Sequence, residues 1–163
     1  MKYLPFERIT YRTNLSEQEI ITKLSGFVEP KKFGFGRNPI KEYEGSVDNN
    51  RFEINRIIKN RNSFLPQISG TIQKNNDGTQ IEVTMKLHAF VFFFLIVWCS
   101  LALFFFICLC VRDIRDKEIS VDFFLPLFML LFVYALTMLG FKMESKKSKE
   151  YLRKSFEAEI TNE

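Results

Sequence analysis

The sequence predicts an α+β membrane protein: a small antiparallel sheet or partial barrel with one helix, followed by a two-helix transmembrane hairpin. The chain of 163 residues has room for about one domain. Its strongest hydrophobicity lies between Leu87 and Phe141, which excludes an ordinary soluble domain. The residues before Leu87 alternate between apolar and polar, as in strands with one buried face. The Asp77-Gly78 pair between two alternating segments is typical of a hairpin turn.

The first polar segment predicts one strand and one helix. Phe6 to Asn14 alternates and predicts the strand. Ser16 and Glu19 have the spacing of a capping box, which marks the start of a helix. The apolar residues of that helix recur at helical spacing: Ile20, Ile21, Leu24 and Phe27. We expect the helix to end near Gly26 and Pro30, which disfavour its continuation.

Four further strands are predicted, and they form an antiparallel meander within a polar domain of residues 1–88. Their expected positions follow the alternation and the turn residues: Lys41–Val47, Arg51–Ile58, Leu65–Gln73 and Thr79–Leu87. Between the second and the third of them, Asn62 to Pro66 predicts a turn. We expect Asn62 or Ser63 to bond the backbone there and Pro66 to open an edge strand.

Two apolar runs predict membrane spans. Residues 89–111 contain no ionisable carboxylate, amine or imidazole, and as a helix they would be roughly 34 Å long, enough for a ~30 Å hydrocarbon core. The second span is expected over 122–141, with Asp122 as N-cap and Pro126 in the first turn. Residues 142–163 are predicted to form a basic helical tail. All cysteines (Cys99, Cys108 and Cys110) lie in the first span, so no disulfide framework or thiolate zinc site is expected.

The distribution of Lys and Arg predicts the orientation of the spans. Eight such residues flank the spans on the side of the chain ends: Lys74, Lys86, Lys142, Lys146, Lys147, Lys149, Arg153 and Lys154. Three lie in the connecting loop: Arg112, Arg115 and Lys117. The positive-inside rule therefore places both termini in the cytoplasm and the loop outside. The expected location is a membrane, with the lipid bilayer as the first partner.

No catalytic, cofactor or metal site is predicted, and we expect the protein not to be an enzyme. The chain has a single histidine, His88, at the predicted junction of sheet and membrane. Such a residue is either an interfacial anchor or a pH-dependent switch. The glycines at Gly34 and Gly36 lack the Lys-Ser/Thr of a phosphate-binding loop.

Basic residues beside phenylalanines form the candidate binding site. They lie in a Gly-rich loop and in the second meander strand with its exit: Lys31, Lys32, Phe33, Phe35, Arg37, Lys41, Arg51, Arg56 and Arg61. Three interpretations remain open: a solvated basic face, contact with lipid headgroups, and a small anionic ligand. Nucleic acid is disfavoured because the net charge is only +4. Arg61 could instead pair with Glu42 or Glu44.

Two stretches of the polar domain resemble an uncharacterised group of small bacterial two-span membrane proteins. These are Arg56 to Gly70 (RIIKNRNSFLPQISG) and Gly78 to His88 (GTQIEVTMKLH). In that group a strand-rich N-terminal segment precedes two spans. The resemblance covers roughly Tyr43 to the first span, and it implies an architecture but no activity. It also implies a bacterial source, so the expected location is the bacterial inner (cytoplasmic) membrane.

The predicted function is therefore a non-enzymatic binding or assembly module of the membrane, with a cytoplasmic domain held against the bilayer. We expect it to act as a homo-oligomer or with a membrane partner protein, because two Phe-rich helices gain little from pairing only with each other in lipid. The alternative is a ligand-sensing effector that oligomerises and perturbs the membrane.

Overall fold

The computed structural model describes residues 3–31, 40–58, 62–75, 78–117 and 121–162. The strands are β1 (Phe6–Thr13), β2 (Val28–Pro30), β3 (Tyr43–Asp48), β4 (Arg51–Arg56), β5 (Pro66–Asn75), β6 (Gly78–Leu87) and β7 (Glu159–Asn162). The helices are α1 (Glu17–Phe27), α2 (Ala89–Asp116) and α3 (Phe124–Ser155), with a 3₁₀ turn (Val121–Phe123) before α3. The α+β class is confirmed, as is the order of a sheet followed by two long apolar helices.

The strands form one seven-stranded sheet in the order β2-β3-β4-β5-β6-β1-β7. The predicted meander from β3 to β6 is present, and its neighbours are antiparallel. The prediction of a wholly antiparallel sheet is wrong, because β2 pairs with β3 in parallel. The chain enters β2 directly from the end of α1. At the edge of the sheet this short strand runs in the same direction as β3. The sheet is therefore mixed, with β2 and β7 at its edges.

The start of α1 has the predicted capping box. The Ser16 hydroxyl accepts a hydrogen bond from the Glu19 N–H at 3.3 Å, and the Glu19 carboxylate accepts one from the Ser16 N–H at 2.7 Å. These hydrogen bonds satisfy two backbone groups that a helix start leaves without partners. Ile20 and Leu24 are fully buried against the sheet. The face of α1 is therefore as predicted, and the helix ends at Phe27.

Helix α3 does not end where the apolar run ends. It continues to Ser155, and its second half lies on the same face of the sheet as α1. The residues of α3 that enter this core recur at helical spacing: Phe141, Ser145, Ser148 and Leu152. Because serines are small, they allow the helix backbone to approach the sheet closely.

After α3 the chain turns back and pairs with the sheet. Strand β7 lies antiparallel to β1, with Tyr11 opposite Ile160 and Arg12 opposite Glu159. The predicted helical tail of residues 142–163 is thus a helix only to Ser155 and then a strand, and the predicted cover of one helix becomes two. The physical reason is the buried side chain of Phe156, which holds this segment in the core.

The apolar parts of α2 and α3 are largely exposed. Both helices are long and apolar enough to cross a membrane, judged by length and composition. Only 6% of the most apolar window of α2 and 11% of that of α3 is buried. Where the two helices pack, small or restricted side chains are buried: Ala102, Pro126 and Thr137. These helices therefore do not serve as the core of a soluble domain.

Candidate functional site

The base of the sheet is the candidate functional site. We use this name for the end of the sheet from which α2 leaves, marked by Phe6 in β1, Pro66 in β5 and Leu87 in β6. Leu87 and Ala89 are separated only by His88, so the strand continues into the helix almost without a linker. Helix α3 passes the same end on its way into the core, and three connections between the sheet and α3 lie here.

The first of these connections joins β1 to α3. The Lys142 ammonium lies 2.5 Å from a Glu7 carboxylate oxygen, and the Ser145 hydroxyl donates to the other oxygen. Glu7 lies on the same face of β1 as the buried residues Ile9 and Tyr11, so its carboxylate points toward α3. Both oxygens of this half-buried carboxylate are therefore paired at the point where the apolar part of α3 ends.

The second connection joins β4 to α3. Arg56 Nη1 lies 2.7 Å from a Glu144 carboxylate oxygen, and Lys147 Nζ lies 2.8 Å from the other. Glu144 is three residues beyond the apolar run and is 8% exposed. Burial alone would raise the pKa of Glu144, but the hydrogen bonds from Lys147 and Arg56 outweigh it, so the pKa is lower than usual. Glu144 therefore stays ionised at neutral pH, and Arg56 has a structural role.

The third connection is the turn between β4 and β5. Asn62 Oδ1 accepts from the Phe64 N–H at 3.0 Å, which confirms the predicted side-chain bond to the backbone. Asn62 Nδ2 donates to the Gly140 carbonyl at 3.2 Å, and a Cβ on Gly140 would meet the Phe64 ring at 3.0 Å. Gly140 thus lets this turn lie directly on α3. Pro66 does begin a strand, but β5 lies between β4 and β6, so the prediction of an edge strand is wrong.

The predicted basic site divides among different places in the fold. Lys41 Nζ donates to the Val28 carbonyl at 3.0 Å and to the Ser25 carbonyl, which fixes the end of α1. Arg51 is exposed at the other end of β4 from Arg56, roughly 17 Å away along the strand. Lys31 lines a cavity on the sheet. Five of the predicted residues lie outside the described part of the chain: Lys32, Phe33, Phe35, Arg37 and Arg61.

His88 is the N-cap of α2. Its Nδ1 accepts a hydrogen bond from the Phe90 N–H at 3.1 Å. The imidazole itself is exposed. The contact satisfies one backbone N–H at the start of α2 and supports the anchoring interpretation of this residue.

Two adjoining cavities open on the face of the sheet opposite α1 and α3, which we call the open face. One has a volume of about 360 Å³ and is lined mainly by polar side chains, including Lys31, Glu53 and Ser69. The other has a volume of about 470 Å³ and is lined mainly by apolar ones, including Phe6 and Phe92. Gln67 and Lys86 line both cavities. A polar and an apolar space therefore meet at the base of the sheet.

A further apolar crevice of about 620 Å³ lies between α2 and α3 on the other side of the base. Its walls are mostly aromatic or branched side chains: Phe64, Phe90, Phe94, Leu95, Trp98 and Leu136. The turn residues Asn62 and Ser63 form its polar rim. The two helices thus diverge where they meet the sheet.

Two buried hydroxyls lie in the core of the sheet domain. Those of Tyr43 and Ser148 are fully buried, and neither has a hydrogen bond of good geometry in the described residues. Burial raises the pKa of Tyr43 to about 12, although its neighbour Ser148 opposes the shift. The phenol is therefore neutral throughout the physiological range and is poorly suited to act as a general acid or base.

Within the described ranges, no three His, Cys, Asp or Glu side chains come together in a group that could hold a metal ion. Four residues at the base are absent from the predicted binding site: Lys86, Gln67, Lys142 and Glu144. The sequence does contain a signal for Lys86 and Gln67, because a hairpin that closes at Asn75 and Gly78 places Gln67 opposite Lys86.

In comparisons with known proteins, no family model, no curated protein and no solved structure matches the chain.

Proposed function

We propose that the protein is a non-enzymatic binding or assembly module of the bacterial inner membrane, in which two spans hold the sheet domain against the cytoplasmic leaflet. The observation that carries the proposal is the continuity of α3. One helix contains the apolar run and also supplies Phe141 and Leu152 to the core of the sheet domain. A domain attached in this way has a fixed orientation relative to the helix, unlike a domain on a flexible tether.

The exposure of the apolar helices supports insertion. Large side chains with more than half of their surface exposed cover both helices, for example Phe93 (64%), Phe104 (61%) and Phe128 (63%). Soluble monomers rarely expose contiguous apolar patches larger than a few hundred Å². A bilayer solvates such surfaces, and a helix satisfies its backbone hydrogen bonds internally.

The sheet itself supports an even number of spans. Strand β1 precedes the apolar helices and β7 follows them, yet the two strands are neighbours in one sheet. Both polar parts of the chain must therefore lie on the same side of the membrane. Two spans meet this condition, and the Lys and Arg distribution favours the cytoplasmic side.

Cysteine labelling tests this topology in a chain whose own three cysteines are replaced by alanine. Asp116→Cys reports the connection between the spans, and Glu159→Cys reports the sheet; both positions are exposed carboxylates. In intact cells an impermeant maleimide should label Asp116→Cys only, and after permeabilisation it should label both. Labelling of Glu159→Cys in intact cells would contradict the cytoplasmic domain, and release of the protein by alkaline extraction would contradict insertion.

Self-association is the form of assembly that the helices support best. Two apolar helices buried against each other at few positions leave most of their surface to lipid or to other copies. Ser100 and Ala135 are small residues that permit close approach of a further helix. Light scattering in mild detergent should therefore give an oligomer. A monomer in several detergents would contradict assembly and leave the binding function.

A further inference from the structure

We propose that the two adjoining cavities on the open face form a specific site for one anionic glycerophospholipid with a hydroxylated headgroup, of the phosphatidylglycerol type. The headgroup lies in the polar cavity and one acyl chain lies in the apolar cavity. This inference rests on the proposed membrane insertion and identifies what the base of the sheet binds there.

The order of side chains across the sheet carries the proposal. On neighbouring strands Phe6 pairs with Lys86, Lys86 with Gln67, and Gln67 with Asn55. Side chains paired in this way lie about 5 Å apart on one face. The row therefore changes from an aromatic ring through a cation to two amides over four strands. A lipid has the same order of chemistry, from acyl chain through phosphate to polar headgroup.

The polar cavity matches an anion that also carries hydroxyls. Lys31 and Glu53 carry opposite charges, and Lys86 adds one further positive charge. Lys86 is exposed and makes no ion pair within the described part of the chain. Its ammonium binds the phosphate. Glu53, Ser46 and Ser69 are placed to bind headgroup hydroxyls, because a carboxylate accepts hydrogen bonds and a serine does both.

The apolar cavity continues toward the membrane. Leu4, Pro5 and Phe6 form one wall, and Ala89 and Phe92 from the first turn of α2 form the other. An acyl chain in this cavity leaves it along α2, in the direction that the span takes through the bilayer. Its volume of about 470 Å³ and that of the polar cavity both lie in the range of ordinary ligand sites, about 300–1,000 Å³.

The two cavities together select between ligands. A zwitterionic phospholipid has no net charge and leaves the positive charge of the polar cavity without compensation. A soluble phosphate diester places nothing in the apolar cavity and forgoes the hydrophobic part of the binding free energy. The preferred ligand is therefore anionic and acylated.

Native mass spectrometry of the full chain in mild detergent tests the site by titration with defined lipids. Phosphatidylglycerol should bind as one tight copy, about fivefold more tightly than phosphatidylethanolamine, since one exposed lysine near an anionic lipid contributes about that factor. Glycerophosphoglycerol, which has the same headgroup without acyl chains, should bind at least about tenfold more weakly.

Matched variants separate the two cavities from general charge and apolarity. Lys86→Gln should weaken phosphatidylglycerol binding about fivefold to tenfold, whereas Lys74→Gln, at the far end of β5, should not change it. Phe92→Ala should weaken it about fivefold, whereas Phe93→Ala, on a different face of the same helix, should not.

Equal binding of the two phospholipids, or equal effects of the Lys86 and Lys74 variants, would overturn the site. So would equal effects of the Phe92 and Phe93 variants. Because Lys86 is exposed and outside the core, its variant should keep the wild-type melting temperature. Alkaline extraction of the same chains from membranes distinguishes the failures: a chain that stays in the membrane without lipid selectivity refutes only the lipid site.

Discussion

Replacing Phe156 with alanine should strongly destabilise the sheet domain. The side chain is fully buried, and its ring centroid lies 6.3 Å from those of Tyr11 and Phe52 and 6.5 Å from that of Phe27. Truncating a buried phenylalanine costs about 3–5 kcal/mol, because transfer free energy is lost and a cavity remains. For a domain of this size we expect the melting temperature to fall by about 10 °C or more.

Thermal unfolding of the full chain in mild detergent, followed by pulse proteolysis, measures this effect. The matched control is Phe128→Ala, which removes the same side chain from the apolar part of α3, where it is 63% exposed. That variant should change the melting temperature by little. If the two variants melt together, or if Phe156→Ala melts with the wild type, residues 142–162 are not part of the core.

Three further predictions follow from the core and the base of the sheet. Gly70→Ala should cost about 1–3 kcal/mol in chemical unfolding, because its Cβ would clash with the buried Phe52 ring. Gly26→Ala should instead stabilise by about 0.5–1 kcal/mol, because the space around Gly26 in α1 is open. The opposite order would contradict the packing. Arg56→Ala should lower the free energy of unfolding by about 1–3 kcal/mol, because the buried Glu144 carboxylate loses one of its partners. Arg153→Ala removes an exposed ion pair with Glu150 and should cost less than about 1 kcal/mol. Equal costs would argue against the buried pair. The pKa of Glu144 in the folded state is lowered from 4.5, so the ionised carboxylate stabilises the fold above that pH and this stabilisation is lost as the pH falls below it. Glu144→Gln should therefore reduce the loss of the free energy of unfolding at acidic pH. An unchanged acid dependence would contradict the lowered pKa.

Local patterns were sufficient to predict α1 and the meander. The capping box at Ser16 and the turn before Gly78 depend on residues that are adjacent or nearly so in the sequence. Alternation along β5 and β6 has one buried face, so the period of two was visible. The bounds of these two strands therefore agree with the predicted ones to within two residues.

The second half of α3 and strand β7 could not be predicted in the same way. The face of α3 that enters the core contains Ser145 and Ser148, so its hydrophobic period is interrupted. Lysines surround these serines and give the segment the composition of a solvated helix. Strand β7 has only four residues, and its partner β1 lies at the other end of the chain. Such long-range pairing leaves no local signal.

The same limit applied to the candidate site. The partners of Arg56 and Glu7 at the base lie 88 and 135 residues away along the chain, so no local pattern indicates these pairs. Composition drew attention to basic residues, but Lys41 fixes the end of α1 and Arg56 fixes α3. Only register, which follows from the hairpin turn, places Lys86 beside Gln67.

The most direct test of the central claim is disulfide formation between β1 and β7 in membranes washed with alkali. Arg12→Cys and Glu159→Cys, in a chain otherwise free of cysteine, occupy paired and exposed positions on neighbouring antiparallel strands. Paired Cα atoms lie about 4.5–5.5 Å apart, within the range that a disulfide spans. We predict that the membrane-bound chain forms this intramolecular disulfide on mild oxidation. A membrane-bound chain that forms none, while each cysteine alone reacts with maleimide, would contradict a single domain built from both ends of the chain on one side of the membrane.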